Sequence, residues 1–211
     1  MKPIRVVLAD DHTLVLEAFR LLLSADVDIV GTAADGHELI RLVKEQKPDV
    51  VVTDLSMPIL NGLDAGIKLL KVMPDLKIIF LTVSDDPDMV ADVMRAGAKG
   101  YLLKSSAVTE LMQAIKAVAS GATYITPLVT GDMLSSLMKG GKRDLFEKLT
   151  VRQREILQLL AEGKTMKEAG LILSVTSRTV AFHKYRIMET LGFKNSSQLV
   201  RFAMKSGLLH T

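Results

Sequence analysis

The sequence predicts an α/β domain built on a parallel sheet, followed by a smaller all-helical domain. Three observations carry that prediction. Apolar runs of strand length alternate with helix-spaced segments through roughly the first 120 residues, the order that places helices on both faces of a parallel sheet. From about residue 149 onward the pattern is helical throughout. Charge divides at the same place. Residues 1–130 carry 13 Lys and Arg against 17 Asp and Glu, a net −4, whereas residues 131–211 carry 14 against 7, a net +7. An acidic part and a basic part suit different partners, the second nucleic acid.

The elements follow in order. Strand 4–10 ends in Asp10, and Leu14 to Leu23 has helical spacing. A short strand near 28–34 precedes a helix at 37–46 with Leu39, Ile40 and Val43 on one face. Strand 48–54 has three valines behind a proline, reads as buried on both faces, and ends in Asp54. The turn Asn61-Gly62 opens helix 63–73. Strand 77–82, helix 87–97 with its Gly97 stop, strand 100–103, and helix 107–120 with its Gly121 stop complete five strand–helix units. Across 122–148 the periodicity fades. Gly131, Gly140 and Gly141 with Lys139, Lys142 and Arg143 indicate a linker, with one helix at 129–138. Helices are then expected at 151–162, 165–173, about 177–191 and about 196–206, stopped by Gly163, Gly192 and Gly207 where they end in glycine.

Composition narrows the function classes. Hydrophobic residues are 48%, aromatics only 4%, and Trp is absent, so the core is aliphatic and Met-rich. With no Cys there is neither a disulfide framework nor a thiolate metal site, which fits a reducing cytoplasm. Met1-Lys2-Pro3-Ile4 leads straight into a strand without a signal-peptide core, and no apolar stretch is long enough to span a bilayer. The expectation is a cytoplasmic protein with no membrane partner.

Chemistry collects at the strand ends. Asp10 and Asp11 follow the first strand, Asp54 ends the third, Thr82 the fourth, and Lys104 follows the fifth. In an open parallel sheet these converge on the C-terminal edge, where ligands bind. One strand-end acid most often caps a loop, but this whole set suits a hard cation and a phosphoryl group. A carboxylate can act as nucleophile toward phosphorus once charge is neutralised. Asp11 and Asp54 would ligate Mg²⁺ (or Mn²⁺) directly, Asp10 directly or through water, and the Ser56 backbone carbonyl would complete the set. Lys104 would pair with phosphoryl oxygens and the Thr82 hydroxyl would donate to one.

Asp10-Asp11, Asp54 with Pro58 and Gly62, Thr82, and Tyr101 with Lys104 stand in an order that resembles a response-regulator receiver domain over roughly residues 3–122. The resemblance implies a flavodoxin-like five-stranded fold, Asp54 as acceptor of a phosphoryl group from a sensor histidine kinase, and Tyr101 as a switch that turns inward when Thr82 is drawn to the phosphoryl. Two residues depart from the pattern. Ser105 stands where proline often follows the lysine, and Val83 where a small residue often follows the threonine. Val83 is expected to narrow the approach of water and prolong the phosphorylated state.

In the second part, Thr150 with Gln153 forms a capping-box pattern, and a short helix, a tight turn and a helix with Arg and Lys form a helix-turn-helix pattern. The stretch 147–209 resembles the LuxR-type DNA-binding domain, and the whole chain a NarL/FixJ-type regulator. On the helix from Ser177, Val180, Ile187 and Leu191 share an inward face, and Arg178, Ala181, Phe182, Lys184 and Tyr185 oppose it. Arg178, Ala181, Phe182 and Tyr185 are base-edge candidates, Phe182 alternatively core. Lys184 and Arg186, with Thr165, Lys167, Ser177, Thr179 and Lys194, are candidates for the remaining DNA contacts, mostly to phosphates. Ala181 stands where a polar reader is common and suits a thymine methyl. Gly170 within the first of the two helices is expected to cost about 1 kcal/mol against Ala, and Ser174 stands in the turn where Gly or Asn is frequent. Leu199, Val200, Phe202, Ala203 and Met204 make the last helix either a dimer face or core.

The reading is a phosphorylation-switched, DNA-binding transcription regulator of a two-component phosphorelay, not an enzyme. Its domains are 1–122 (receiver), 123–146 (linker) and 147–211 (DNA-binding). The resemblance implies a homodimer when phosphorylated or DNA-bound, double-stranded promoter DNA as ligand, and RNA polymerase as a further partner. One alternative is a phosphate-independent regulator that uses the receiver for dimerisation. Another, an aspartyl-phosphate phosphatase of the haloacid dehalogenase type, needs an acid two residues after the nucleophile, where this chain has Ser56.

Overall fold

Among the residues the computed structural model describes, 2–23, 26–130 and 148–205, six parallel strands form one sheet. These are β1 (Ile4–Ala9), β2 (Val27–Ala33), β3 (Val50–Asp54), β4 (Ile78–Thr82), β5 (Gly100–Leu103) and β6 (Tyr124–Ile125), in the order β2-β1-β3-β4-β5-β6. The crossovers are α1 (Thr13–Leu23), α2 (Gly36–Gln46), α3 (Gly62–Val72), α4 (Pro87–Arg95) and α5 (Ala107–Ala119). Every residue of β3 and β4 is buried, as continuous apolar strands covered on both faces require. Alternate residues serve alternate faces. Val6, Leu8, Val50, Val52, Ile79, Leu81 and Leu102 pack with Phe19 and Leu23 of α1 and Leu111, Ile115 and Val118 of α5. On the other face a Cβ on Gly66 of α3 would lie 2.7 Å from the Phe80 ring, so α3 rests directly on β4.

The sixth strand corrects the expected five. Tyr124–Ile125 lies in the stretch expected to be linker, yet it pairs with Gly100–Tyr101, and Thr126 and Val129 are buried beyond it. Residues 127–130 are helical. Two residues are too few to show alternation, but Tyr and Ile suit a strand and cover the open edge of β5. The rest of that stretch, 131–147, with most of the helix expected at 129–138, lies outside the described residues.

The chain divides into two compact units, and the second holds α6 (Val151–Ala161), α7 (Met166–Ile172), α8 (Ser177–Leu191) and α9 (Ser196–Lys205). Their core is Leu149, Ile156, Leu157, Leu159, Ala169, Leu173, Val180, Ile187, Leu191, Leu199 and Ala203. The capping box at Thr150 and Gln153 forms, and a second one forms at Thr165 and Glu168. Arg152 pairs with buried Glu155 at 3.0 Å and donates to the Leu173 carbonyl at 2.8 Å, tying α6 to the turn after α7.

Three expectations are decided here, the last of them as expected. In α9, Leu199 and Ala203 are core, Phe202 packs edge-on against Phe193 at 5.6 Å, and Met204 is exposed. Most of the face offered for a dimer is therefore used within the unit. Gly170 is not a weakness: a Cβ there would lie 2.8 Å from the Val175 carbonyl oxygen, so the close approach of α7 to the turn requires glycine. Ser174 takes a left-handed φ of 54°, the conformation that Gly or Asn adopts more readily.

Candidate functional site

The strand register brings the chemistry to one level. Ala9 pairs with Thr53, Asp54 with Leu81, and Thr82 with Leu103, so Asp10, Asp54, Thr82 and Lys104 leave the sheet side by side. Asp10 and Asp54 are almost wholly buried and Asp11 is partly exposed. Lys104 lies 2.8 Å from Asp54 Oδ2 and 2.7 Å from Asp10 Oδ2, bridging the two acids. The Ser56 amide donates to Asp54 Oδ1 at 3.3 Å. Behind the site, α3 starts under the Asn61 cap, whose side chain accepts from the Asp64 amide.

Two buried carboxylates facing one ammonium leave excess negative charge. Burial raises the Asp54 pKa above its ordinary value, and Lys104 only partly offsets this. For Lys104, burial acts to lower the pKa, but hydrogen bonds and charges from Asp10 and Asp54 together raise it. The two directions agree: the ammonium is held charged, while the Asp54 carboxylate is under-neutralised. Asp10, Asp11, His12 and Asp54 offer ligand atoms within 4.8 Å of one another, so the donor set fits a hard divalent cation. His12 joins this set beyond the residues expected from sequence. Its Nδ1 lies 3.1 Å from Asp10 Oδ1 and 3.0 Å from Asp11 Oδ1, and its adjacency to the acid pair was the available signal.

Thr82 Oγ1 accepts from the Ser84 amide at 3.0 Å, and the Tyr101 hydroxyl donates to the Ser84 carbonyl at 2.8 Å. Burial pushes the Tyr101 phenol far above its ordinary pKa. Tyr101 is fully buried, so the inward position expected only after phosphorylation is the one seen. Val83, just beyond Thr82, is 86% exposed. Lys104–Ser106 forms a single 3-10 turn, and no cis peptide bond occurs among the described residues.

In the second unit, α7, a turn and α8 form a helix-turn-helix. Thr176 caps α8, its side chain accepting from the Thr179 amide, and Gly192 closes it at a φ of 68°. Residues 6–116 match the family described as "Response regulator receiver domain", and residues 147–203 match "Bacterial regulatory proteins, luxR family". The chain belongs to the LuxR-type response regulators. It is 39% identical to the oxygen regulatory protein NreC of Staphylococcus carnosus (strain TM300), over 97% of this chain and 99% of that one. Among solved structures it is similar to RcsB of Salmonella enterica serovar Typhimurium bound to promoter P1flhDC in the presence of the phosphomimetic BeF3⁻. That match has 29% identity and a TM-score of 0.61 over 98% of each chain. It is also similar to two RcsB dimers bound to two parallel DNAs, at 27% identity and a TM-score of 0.61 over 96% of this chain and 98% of that one. The protein is thus a DNA-binding transcriptional regulator of a two-component system, not an enzyme. Among the described residues no helix is long and apolar enough to cross a membrane.

On this response regulator's α8, Arg178, Phe182, Tyr185 and Arg186 are exposed and share one side, while Val180, Ile187 and Leu191 are buried on the other. Phe182 is 58% exposed, which removes the alternative that it is core. Ala181 and Thr179 are half-buried at the flanks, and Ser177 is exposed at the helix start. Lys184 does not join the outer face. It follows Val180 by four residues, precedes Ile187 by three, and is half-buried, because helical spacing carries it to the core side. Thr165 is occupied as the cap of α7, its hydroxyl 2.7 Å from Glu168. Lys167 and Lys194 are exposed. Part of the basic surplus is structural, since Arg154 is buried and donates to the Leu149 carbonyl at 3.0 Å.

Proposed function

We propose that this regulator accepts a phosphoryl group on Asp54 from a sensor histidine kinase and then binds promoter DNA as a homodimer. The observation that carries the reading is the Lys104 ammonium between Asp54 and Asp10, at 2.8 and 2.7 Å. It is a fixed cation where a transferred phosphoryl needs one. An Asp54 carboxylate oxygen attacks phosphorus as the P–N bond of the phosphohistidine breaks. The released electron pair returns to the imidazole nitrogen, which takes up a proton, and Asp54 becomes an acyl phosphate. Burial leaves the carboxylate poorly solvated and so a better nucleophile. Asp11, Asp54 and the Ser56 backbone carbonyl would hold Mg²⁺ (or Mn²⁺), with Asp10 direct or through water, and the ion would supply charge neutralisation between the two anions. Lys104 and the Thr82 hydroxyl then hold the phosphoryl oxygens, and Tyr101 answers to the position of Thr82.

Residues 1–122 act as the receiver and 147–211 as the DNA-binding domain, with the linker of 123–146 beginning as a strand of the receiver's own sheet. Arg178, Ala181, Phe182 and Tyr185 face base edges. Lys167, Ser177, Thr179, Arg186 and Lys194 lie toward the backbone, and the half-buried Lys184 and capping Thr165 contribute at the margin. The protein works in the cytoplasm, with RNA polymerase as a further partner at the promoter. RcsB bound to a promoter with a phosphomimetic, and RcsB dimers on DNA, support the phosphate-linked dimer. The inward Tyr101 favours a second reading, in which DNA binding does not wait for phosphate and the receiver serves as a dimerisation module.

Selection from a random duplex pool, with and without Mg²⁺ and a small phosphoryl donor, separates the two. A two-fold-related site enriched only with donor supports phosphate gating. Equal enrichment in both arms transfers the case to the second reading.

A further inference from the structure

We propose that Phe182 reads the C5-methyl group of a thymine in the major groove, so that each half-site of this regulator's DNA carries a T at one fixed position. The inference rests on the DNA-binding reading above and extends it to a base and a chemical group. The buried Val180, Ile187 and Leu191 fix the inward side of α8, and Phe182 stands opposite them with 58% of its surface exposed. Arg178 and Tyr185 lie within about 60° of it around the helix at 100° per residue. The ring is therefore central to the outer face.

It is also held. The Arg186 guanidinium lies over the ring at 5.8 Å, and the His183 ring meets it edge-on at 5.6 Å. Arg186 is tied in turn to Glu189 at 3.1 Å. A pinned phenyl ring makes no hydrogen bond to a base edge. In the major groove thymine presents a methyl beside its O4 acceptor, whereas adenine and guanine present only N7 with an amino group or O6, and cytosine an amino group without the methyl. A ring set against those groups would strip their water and return nothing. Phe182 thus favours T through contact with the methyl and disfavours the other bases through unpaired polar groups. Arg178 and the Tyr185 hydroxyl are left to read the polar positions beside it.

The test uses the full chain and the duplex enriched from the random pool, with each thymine replaced singly by deoxyuridine, a change that removes only the methyl. Losing one buried methyl is expected to weaken binding about fourfold at one position per half-site, and about fifteenfold when both half-sites are changed. Phe182→Ala keeps a good helix former at an exposed position, so the fold is retained. It should bind more weakly and no longer distinguish thymine from deoxyuridine, while Phe182→Leu keeps part of the discrimination. Wild-type binding indifferent to deoxyuridine at every position overturns the proposal and leaves DNA binding standing. So does an undiminished deoxyuridine penalty in Phe182→Ala. If no duplex enriches under any condition, the DNA-binding reading and this one fall together.

Discussion

Gly62→Ala is the sharpest test of how the fold positions Asp54. Gly62 opens α3, and its amide donates to the Leu55 carbonyl at 2.9 Å, which pins it under the end of β3. A Cβ there would lie 1.8 Å from the Asp54 carbonyl oxygen and 2.8 Å from Thr53 Oγ1. Carbon and oxygen approach no closer than about 3.3 Å without cost, so the two backbones must part by roughly 1.5 Å. The obstacle is a main-chain carbonyl in a buried central strand, which cannot rotate away as a side chain does. Overpacking of this kind costs about 1–3 kcal/mol, occasionally more, against a helix gain of at most about 1 kcal/mol. At the upper end of that range a net loss near 2 kcal/mol lowers the unfolding temperature by roughly 8 °C for a unit of this size. Displacing Asp54 by more than 1 Å should also cut phosphoryl uptake from a small donor by about 100-fold. Calorimetry and phosphoprotein gels measure the two effects. Unfolding within about 2 °C of wild type, with uptake undiminished, would refute the packing argument.

Four further outcomes follow from the same geometry. Burial raises the Asp54 pKa from its usual 3.8, so the stability this group contributes is full below that pH and is lost as pH rises through the folded value. Asp54→Asn in metal-free buffer should therefore stabilise the fold more at pH 7 than at pH 4, and equal urea midpoint shifts at the two values would contradict this. Mg²⁺ should raise the unfolding temperature by mass action, reaching about 2.7 kcal/mol at 100 times its Kd, and Asp11→Asn should flatten the response in a thermal-shift titration. In the second unit, Gly170→Ala should destabilise by about 1–3 kcal/mol despite its better helix propensity, while Ser174→Asn should stabilise by about 0.5 kcal/mol; urea unfolding with either sign reversed counts against the geometry given. Val83→Ala should speed loss of the phosphoryl group, and an unchanged decay rate would remove Val83 from the account.

The sheet and its reactive edge were legible because both rest on local patterns. Three valines behind Pro48 read as a central strand, and a polar residue closing each apolar run marks where a parallel sheet turns its chemistry outward. What was misread depends on contacts between segments. Tyr124–Ile125 is a strand because β5 lies beside it, and a two-residue run has no period of its own. Gly170 looks like a propensity defect until the Val175 carbonyl is found against it. Lys184, expected on the outer face, is carried inward by its spacing from Val180 and Ile187. The inward Tyr101 reflects a choice between two positions for one side chain, which sequence does not encode.

The sixth strand bears on how this receiver can be reused as a building block. A hybrid regulator joined at residue 122 would discard Tyr124–Ile125 and bare the edge of β5. It would also lose the Thr126 hydroxyl that accepts from the Leu103 amide at 3.2 Å, next to Lys104, and the Tyr124–Glu110 contact at 3.0 Å. An open edge recruits other strands, so such a fusion invites aggregation as well as a loosened lysine. A graft of a new output module should therefore keep the chain through Val129, which is itself buried.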